Sequence, residues 1–195
     1  KINLKSFTDF YRLNNSSLIY TGVLRTPITS ITNSINFKKR KYKLMNENFA
    51  TIGDVYRILG EIPKKVDLNE TSDMKSKKKR ASARRLSRLL GLDYKHLKFN
   101  DCKQAALNVK KKHIKLIRKC LLKVEKKNFE KKVSIIGLGS GEFLIKDILK
   151  KRRNYKPFYK TIKKYLANKS GLNCEPSISL IFLLYNSLTR TTFKF

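Results

Sequence analysis

The chain has 195 residues, enough for one sizeable hydrophobic core or for one lobe of a larger protein. Apolar residues at 41% and aromatic residues at 10% argue against a disordered tail. Lys and Arg number 46 against 14 Asp and Glu, and the net charge of +32 attracts polyanions, nucleic acid first among them.

The positive charge has two interpretations that the sequence leaves open. It is mostly lysine in a chain rich in isoleucine and asparagine, a composition typical of AT-rich genomes, so it indicates either a nucleic-acid surface or a solvated surface produced by codon drift. No aromatic stacking motif coincides with the lysine runs. These runs lie at residues 38–43, 75–80, 110–112 and 150–153.

The cysteine spacing indicates a reducing compartment, and the hydropathy indicates that the chain has no membrane-spanning segment. Cys102, Cys120 and Cys174 lack CxxC spacing, which argues against a disulfide framework or a zinc site. The longest apolar stretch, residues 178–185, falls short of the ~18 residues of a membrane span. No signal peptide is visible. We therefore expect a cytoplasmic protein.

The first fifty residues predict one short helix and two strands. Residues 8–13 begin with Thr-Asp and suit a helix, and the β-branched run 17–24 suits a strand bent at Gly22. A basic turn at 38–41 precedes a second expected strand over 42–49.

Three helices follow. The first begins at the capping residue Thr51 and ends at Gly60. The polar segment 67–80 has no periodicity and predicts a loop, and a helix resumes over 81–91. A long helix is expected over 101–127, with apolar residues at three- and four-residue spacing on one side and lysine on the other.

The last third predicts a strand at 133–136, a glycine loop at 137–141 and a helix from Glu142 to about Lys151. A final helix is expected over 176–188, with Pro176 in its first turn. Strands and helices alternate without a linker, which predicts one α/β unit.

The strongest local signal for chemistry is the glycine loop, with Gly137, Gly139 and Gly141 between a strand and a helix. Glycines allow close backbone approach to phosphate, and a helix N-terminus supplies free N–H groups. The Gly-x-Gly-x-Gly spacing matches neither the Walker loop nor the full dinucleotide motif. A ligand site and a tight turn that packs helix on strand remain alternatives.

Two further segments contain candidate ligand-binding residues. In residues 20–27, Arg25 could clamp a phosphate or carboxylate, or could be a surface arginine on an edge strand. In Thr71-Ser-Asp73, the aspartate could hold a magnesium–phosphate group, or the segment could be a plain helix-entry loop. His113 lies in line with the apolar stripe of the long helix and is expected to be packed rather than catalytic, and His96 is isolated.

In this order, the motifs resemble the hydantoinase/oxoprolinase-related proteins linked to methanofuran and tetrahydromethanopterin one-carbon metabolism. Residues 18–27, LIYTGVLRTP, are similar to the LVYTGVLRTP segment of that family, and residues 82–91 are similar to SARRLARLLG. Thr71-Ser-Asp73 stands where the family has Thr-Ala-Asp-Gly, with Met74 at the glycine. Residues 137–144 resemble its GLGEFL loop.

The resemblance implies the fold and the chemistry. The fold would be the C-terminal lobe of an actin-like (sugar kinase/Hsp70-type) α/β fold, spanning residues 1–195 and lacking the N-terminal lobe with its phosphate loops. The activity would be that of an archaeal transferase that joins an aminomethylfuran-methyl diphosphate to γ-glutamyltyramine and releases diphosphate. Mg2+ would be the cofactor, with nucleotide binding left open.

The resemblance also assigns roles to residues. Arg25 and Asp73 would be catalytic, and Asp73 would bind the metal. Substrate and phosphate would be bound by Thr21, Gly22, Thr26, Thr71, Gly137, Gly139 and Gly141.

The resemblance implies two partners. The missing N-terminal lobe would be supplied in cis or in trans, together with a small diphosphate substrate. The alternatives to this enzyme function are a basic nucleic-acid-binding module and a degenerate gene fragment.

Overall fold

A computed structural model describes residues 8–64, 66–128, 135–137, 139–150 and 155–157. The chain divides into two compact units, Lys1–Glu130 and Lys131–Phe195. The composition of the sequence gives no linker signal at this boundary.

The first unit contains four helices and a hairpin among its described residues. Two 3₁₀ turns, Ile28–Ser30 and Tyr94–His96, connect these elements. In chain order the elements are α1 (Asp9–Asn14), β1 (Ser34–Phe37), β2 (Arg40–Lys43), α2 (Ile52–Leu59), α3 (Lys79–Leu89) and α4 (Phe99–Asn128).

Helix α2 forms the centre of the core, against α3 and α4. Every residue from Ile52 to Ile58 is buried, and the left-handed backbone of Gly60, with φ of 72°, ends the helix. The predicted boundaries at Thr51 and Gly60 are confirmed. So are α1 with Thr8 as its N-cap, the loop before α3, and the long α4.

The hairpin packs on α4 through polar contacts. Asn36 N donates to Asn108 Oδ1 at 3.0 Å, and Lys112 Nζ donates to Ser34 O at 2.5 Å. Inner-side residues of α4, from Cys102 to His113, are buried, whereas Leu116 and the later apolar residues are half-buried or exposed. The predicted apolar stripe is thus confirmed as a core face over its first half.

Two predicted strands are wrong in position. Residues 17–26 form an irregular segment with a bend rather than a strand, because their carbonyls bond to the start of α2 instead of to a neighbouring strand. The strand expected at 42–49 is instead β2, antiparallel to β1 with Ser34 opposite Lys43.

In the second unit, β3 (Ile135–Gly137) pairs in parallel with β4 (Tyr155–Pro157). The helix predicted from Glu142 to Lys151 is instead a 3₁₀ turn, Glu142–Leu144, followed by the single-turn α5, Ile145–Ile148. The helix predicted at 176–188 and Cys174 lie outside the described residues.

No helix in the described ranges has the length and hydropathy that crossing a membrane requires. The described part of the first unit is a small mixed helical domain with a two-stranded sheet, and the actin-like α/β assignment stays a prediction.

Candidate active site

Residues 22–27 lie across the N-terminal end of α2. Ile52 N donates to Thr26 O at 2.8 Å, and Gly53 N donates to Leu24 O at 3.2 Å. A Cβ atom on Gly53 would stand 2.9 Å from Leu24 O, so only glycine permits this approach without a shift. The first N–H groups of α2 are therefore bound to protein carbonyls and are closed to phosphate.

Arg25 projects from this same loop. Gly22 N donates to Thr26 Oγ1 at 2.8 Å, which closes the loop upon itself. The Arg25 side chain is exposed, and within the described residues it has no hydrogen bond or ion pair. An unpaired guanidinium on a loop anchored by backbone bonds is a suitable ligand for a phosphate or carboxylate. The structure thus places three predicted residues, Gly22, Arg25 and Thr26, together.

A buried ionic cluster lies immediately after this loop, with Asp54 at its centre. Asp54 Oδ1 accepts from Arg57 Nη1 at 3.2 Å and from Arg85 Nη2 at 2.7 Å. Arg57 Nε reaches Asp67 Oδ2 at 2.8 Å, and Arg85 Nη1 reaches Asp73 Oδ1 at 2.8 Å. We call these five residues the Asp54 cluster. It fastens the loop between α2 and α3 to both helices.

The cluster holds its outer aspartates in the ionised form. The hydrogen bond from Arg57 lowers the pKa of Asp67 despite burial. Burial opposes ionisation of Asp73, yet bonds from Thr71 and from Lys75 N, together with the Arg85 charge, lower its pKa overall. Burial alone would lower the pKa of Arg57. Its hydrogen bonds and charge interactions with Asp67 and Asp54 outweigh burial, so the pKa is raised.

The predicted Thr71 and Asp73 form a tight turn at this cluster. Thr71 Oγ1 donates to Asp73 Oδ1 at 3.0 Å, and Ser72 Oγ donates to Phe49 O at 2.7 Å. The turn is therefore tied to the chain just before α2, whose first residues the Arg25 loop covers. Both predicted segments meet at residues 49–54.

The Mg2+ expectation fits this turn only in part. Among the described residues, no group of three His, Cys, Asp or Glu side chains is arranged to hold a metal ion. Asp73 Oδ1 already accepts from Arg85 and Thr71, which leaves Oδ2 as one available ligand atom. Mg2+ commonly uses one or two carboxylates and completes its shell with water and substrate phosphates. The turn could supply one ligand of such an ion.

Thr21, predicted to bind phosphate, instead contacts a buried histidine. Thr21 Oγ1 lies 3.0 Å from His113 Nε2, and Tyr56 Oη lies 2.9 Å from His113 Nδ1. Burial lowers the pKa of His113 to about 4, so the ring is neutral at pH 7 and uses one nitrogen as donor and the other as acceptor. The prediction that His113 is a packed residue is confirmed.

The glycine loop belongs to the second unit. Gly137 pairs opposite Pro157, and Gly139 has a φ of 81° that favours glycine. Glu142 N donates to Gly139 O at 2.9 Å, which uses an amide that a phosphate would need. The described helix after the loop is a single turn, so the tight-turn alternative gains support.

Sequence reasoning missed the residues that organise the site. None of Asp54, Arg57 and Arg85 was among the predicted site residues. The available signal was an Asp and an Arg three residues apart inside a helix that is otherwise apolar, which indicates a buried pair.

No family model matches the chain. It is 33% identical over 181 residues to the (4-{4-[2-(gamma-L-glutamylamino)ethyl]phenoxymethyl}furan-2-yl)methanamine synthase of Methanococcus vannielii. The matched residues make up 93% of this chain and 81% of that relative. It is 33% identical over 142 residues to the synthase of that name from Methanocaldococcus jannaschii, covering 73% of this chain and 42% of the relative. The chain belongs to the family of these furan-methanamine synthases.

Proposed function

We propose that the chain acts in methanofuran biosynthesis, in the formation of the phenoxymethyl–furan ether named in the product of its relatives. The observation that carries the proposal is the 33% identity across 181 residues. Assignment to the wider hydantoinase/oxoprolinase group is a further part of the proposal, resting on the LIYTGVLRTP and SARRLSRLLG segments.

The proposed reaction is a displacement at the furan CH2 carbon. The phenolic oxygen of the acceptor forms the new C–O bond, and the bond from that carbon to the diphosphate oxygen breaks. The bonding electron pair leaves with diphosphate, and the phenolic proton passes to water. Negative charge grows on the departing diphosphate, so stabilising that charge is the main catalytic requirement.

Arg25 suits this requirement because it is exposed, cationic and free of other partners within the described residues. The loop bonds of Gly22, Leu24 and Thr26 fix its backbone, so only the side chain has to be ordered when diphosphate binds. Mg2+ bound through Asp73 Oδ2 would supply Lewis-acid neutralisation of diphosphate.

The proposal is tested first by binding. We expect Arg25→Ala to weaken binding of inorganic diphosphate at least tenfold in calorimetric titrations, with a smaller loss for Arg25→Lys. Arg40→Ala removes an exposed arginine from β2 and is the matched control for net charge. Equal affinities of the Arg25→Ala and Arg40→Ala variants would show that diphosphate binds only to the general positive field.

Turnover gives the second test. Diphosphate release from the furan-methyl diphosphate and the phenol should fall by about 10²–10³ in kcat for Arg25→Ala, the effect typical of losing one charge-stabilising donor. We further propose that an actin-like lobe with phosphate loops completes the site in cis or in trans. Activity that requires addition of such a lobe supports this, whereas full turnover by the 195-residue chain rejects it.

A second candidate function rests on the exposed side of α4. Cationic side chains repeat there at mostly four-residue spacing, which corresponds to steps of about 6 Å along the helix. Like charges at that spacing destabilise a helix by a few tenths of a kcal/mol per pair, and a polyanion would relieve the repulsion. The exposed lysines of this row are Lys103, Lys111, Lys115, Lys119, Lys123 and Lys126.

We propose that this lysine row binds the backbone of duplex nucleic acid without sequence preference. Its exposed residues include no aromatic ring, which argues against base stacking on a single strand. Replacing lysines 111, 115, 119 and 123 by Gln should reduce the slope of log K against log salt by about 0.9 for each phosphate that the variant no longer neutralises. The control replaces lysines 39, 43, 64 and 95, and equal slopes in the two variants reject the row as a site.

A further inference from the structure

A surface pocket lies between the end of α3 and the segment before α2. It has a volume of about 400 Å³ and is lined by Phe49, Arg88, Gly91, Leu92, Asp93 and His96. Pockets that bind small molecules typically measure about 300–1,000 Å³, so this one is large enough for a substituted aromatic ring. We call it the Phe49 pocket.

Part of the pocket lining is apolar. Phe49 is 37% exposed, and Leu92, which also lines the pocket, is half-buried. Gly91, with a φ of 71°, adds no side chain. A flat ring could lie against Phe49 in an offset stack, with gain beyond simple area burial.

Two further lining residues, Arg88 and His96, are basic. Arg88 and His96 are exposed, and within the described residues neither side chain has a hydrogen bond or an ion pair. Asp93 opposes anions, but Lys95 Nζ lies 3.6 Å from its carboxylate. Since that pair is balanced, the Arg88 charge remains in excess and offers a bidentate contact to a carboxylate.

The pocket adjoins the candidate active site. Phe49 O accepts the hydrogen bond from Ser72 Oγ, next to Asp73, and Arg88 stands one helical turn after Arg85 of the Asp54 cluster. The pocket therefore shares Phe49 with the segment to which the Thr71–Asp73 turn is tied.

We propose that the Phe49 pocket binds an aromatic substrate that bears a carboxylate, with the ring on Phe49 and the carboxylate on Arg88. This rests on the proposed function and gives its acceptor a place, because the relatives' product contains a phenoxy ring linked to a γ-glutamyl group. Diphosphate would lie at Arg25, and the acceptor would reach the same end of α2 from the Phe49 pocket.

The test is a titration of γ-L-glutamyltyramine into the 195-residue chain, followed by calorimetry and by NMR. Arg88→Gln should weaken binding at least tenfold, and Phe49→Leu should weaken it severalfold while keeping the apolar volume. Arg80→Gln is the matched control, an exposed arginine on the same helix without a partner among the described residues. Equal effects of Arg88→Gln and Arg80→Gln overturn the proposal.

Two truncated probes separate the parts of the ligand. Tyramine lacks the carboxylate, so its affinity should be the same in the wild type and in Arg88→Gln. Glutamate lacks the ring, so its affinity should not respond to Phe49→Leu. Unchanged thermal unfolding of each variant shows that the fold is intact, and a loss of tyramine binding in Arg88→Gln contradicts the assigned carboxylate contact.

The outcome is distinguishable from failure of the proposed function. If the acceptor binds with the expected dependence on Arg88 and no ether forms even with a complementing lobe, the proposed reaction fails and the pocket stands. If turnover depends on Arg25 and not on Arg88, the pocket assignment fails and the reaction stands.

Discussion

Asp54 and Asp93 show two ways in which this chain uses an acidic side chain. Asp54 has no exposed surface and bonds two buried arginines, Arg57 and Arg85. Asp93 lies on the loop after α3 and pairs with Lys95 while about three quarters of each side chain stays in water, 72% and 74% respectively. The same type of ion pair therefore occurs in two very different dielectric environments.

The difference determines what each pair does. At the surface, water competes for both charges and the pair is worth about 0–1 kcal/mol. In the interior, the charges have already given up their hydration, and each depends on its partners to offset that penalty. The Asp54 cluster consequently fixes the geometry of the candidate site, whereas the lysine-rich surface leaves its charges available to ligands.

The largest expected effect comes from removing the central charge. Asp54→Asn leaves Arg57 and Arg85 buried with one anion fewer, and removal of one partner of a buried pair costs about 3–5 kcal/mol. Urea denaturation should show this destabilisation. Asp93→Asn is the exposed counterpart and should change the free energy of unfolding by less than about 1 kcal/mol. Similar changes in the two variants would contradict the contrast.

The two histidines extend the comparison to pH. Burial lowers the pKa of His113 to about 4, whereas the unfolded chain titrates near 6.5. The unfolded state therefore binds the proton first, so stability is full above about pH 6.5 and falls as pH drops towards 4, by roughly 3 kcal/mol. His113→Gln should remove this dependence in urea titrations between pH 4 and 7.

The exposed His96 lies on a different element, and His96→Gln is the control for the histidine-to-glutamine change itself. Asp67 and Asp73 have lowered pKa values, so their contribution is complete above the unfolded pKa of about 3.9 and disappears only at lower pH. The stability that these two aspartates contribute is therefore lost at a lower pH than the stability that depends on neutral His113. A flat profile in the wild type between pH 4 and 7 would show that His113 titrates normally.

Replacing the closely packed Gly53 should change the free energy of unfolding by a smaller amount. Gly53→Ala places a Cβ atom 2.9 Å from the backbone oxygen of Leu24. Overpacking costs about 1–3 kcal/mol, and the better helix propensity of alanine offsets about 1 kcal/mol of it. We expect a net destabilisation of about 1 kcal/mol by urea denaturation. A Cβ on Gly22 would meet its nearest atom at 3.8 Å, so Gly22→Ala should be close to neutral.

Local signals explain what could be predicted from the sequence. Thr51 and Gly60 mark the ends of α2 by capping chemistry that depends on adjacent residues alone. The hairpin was missed because its two-residue turn is Lys38-Lys39, with φ of 47° and 59°, where Asn-Gly is the usual signal. Residues 17–24 have strand composition, but no strand is available beside them in the described structure.

The candidate site was harder to predict because its bonds join distant parts of the chain. Arg85 is 31 residues from Asp54, and Thr21 is 92 residues from His113. Such pairings depend on tertiary packing, which neither spacing nor composition encodes. The sequence could nevertheless locate both segments that meet at α2, because Arg25 and Asp73 are charged side chains that stand next to threonine or serine.

The smallest expected effect is a gain in stability when Met74 is replaced by glycine. Its φ of 53° lies in the left-handed region, and its side chain is 79% exposed, so little packing offsets the strain. A non-glycine residue there costs about 1–2 kcal/mol, while glycine costs about 0.5–1 kcal/mol of additional backbone entropy. Met74→Gly should therefore stabilise the chain by about 0.5–1 kcal/mol in urea denaturation. Met74→Ala keeps the Cβ atom and should be close to neutral, so an equal gain in both variants would show that the methionine side chain, and not the backbone, is the source of the strain.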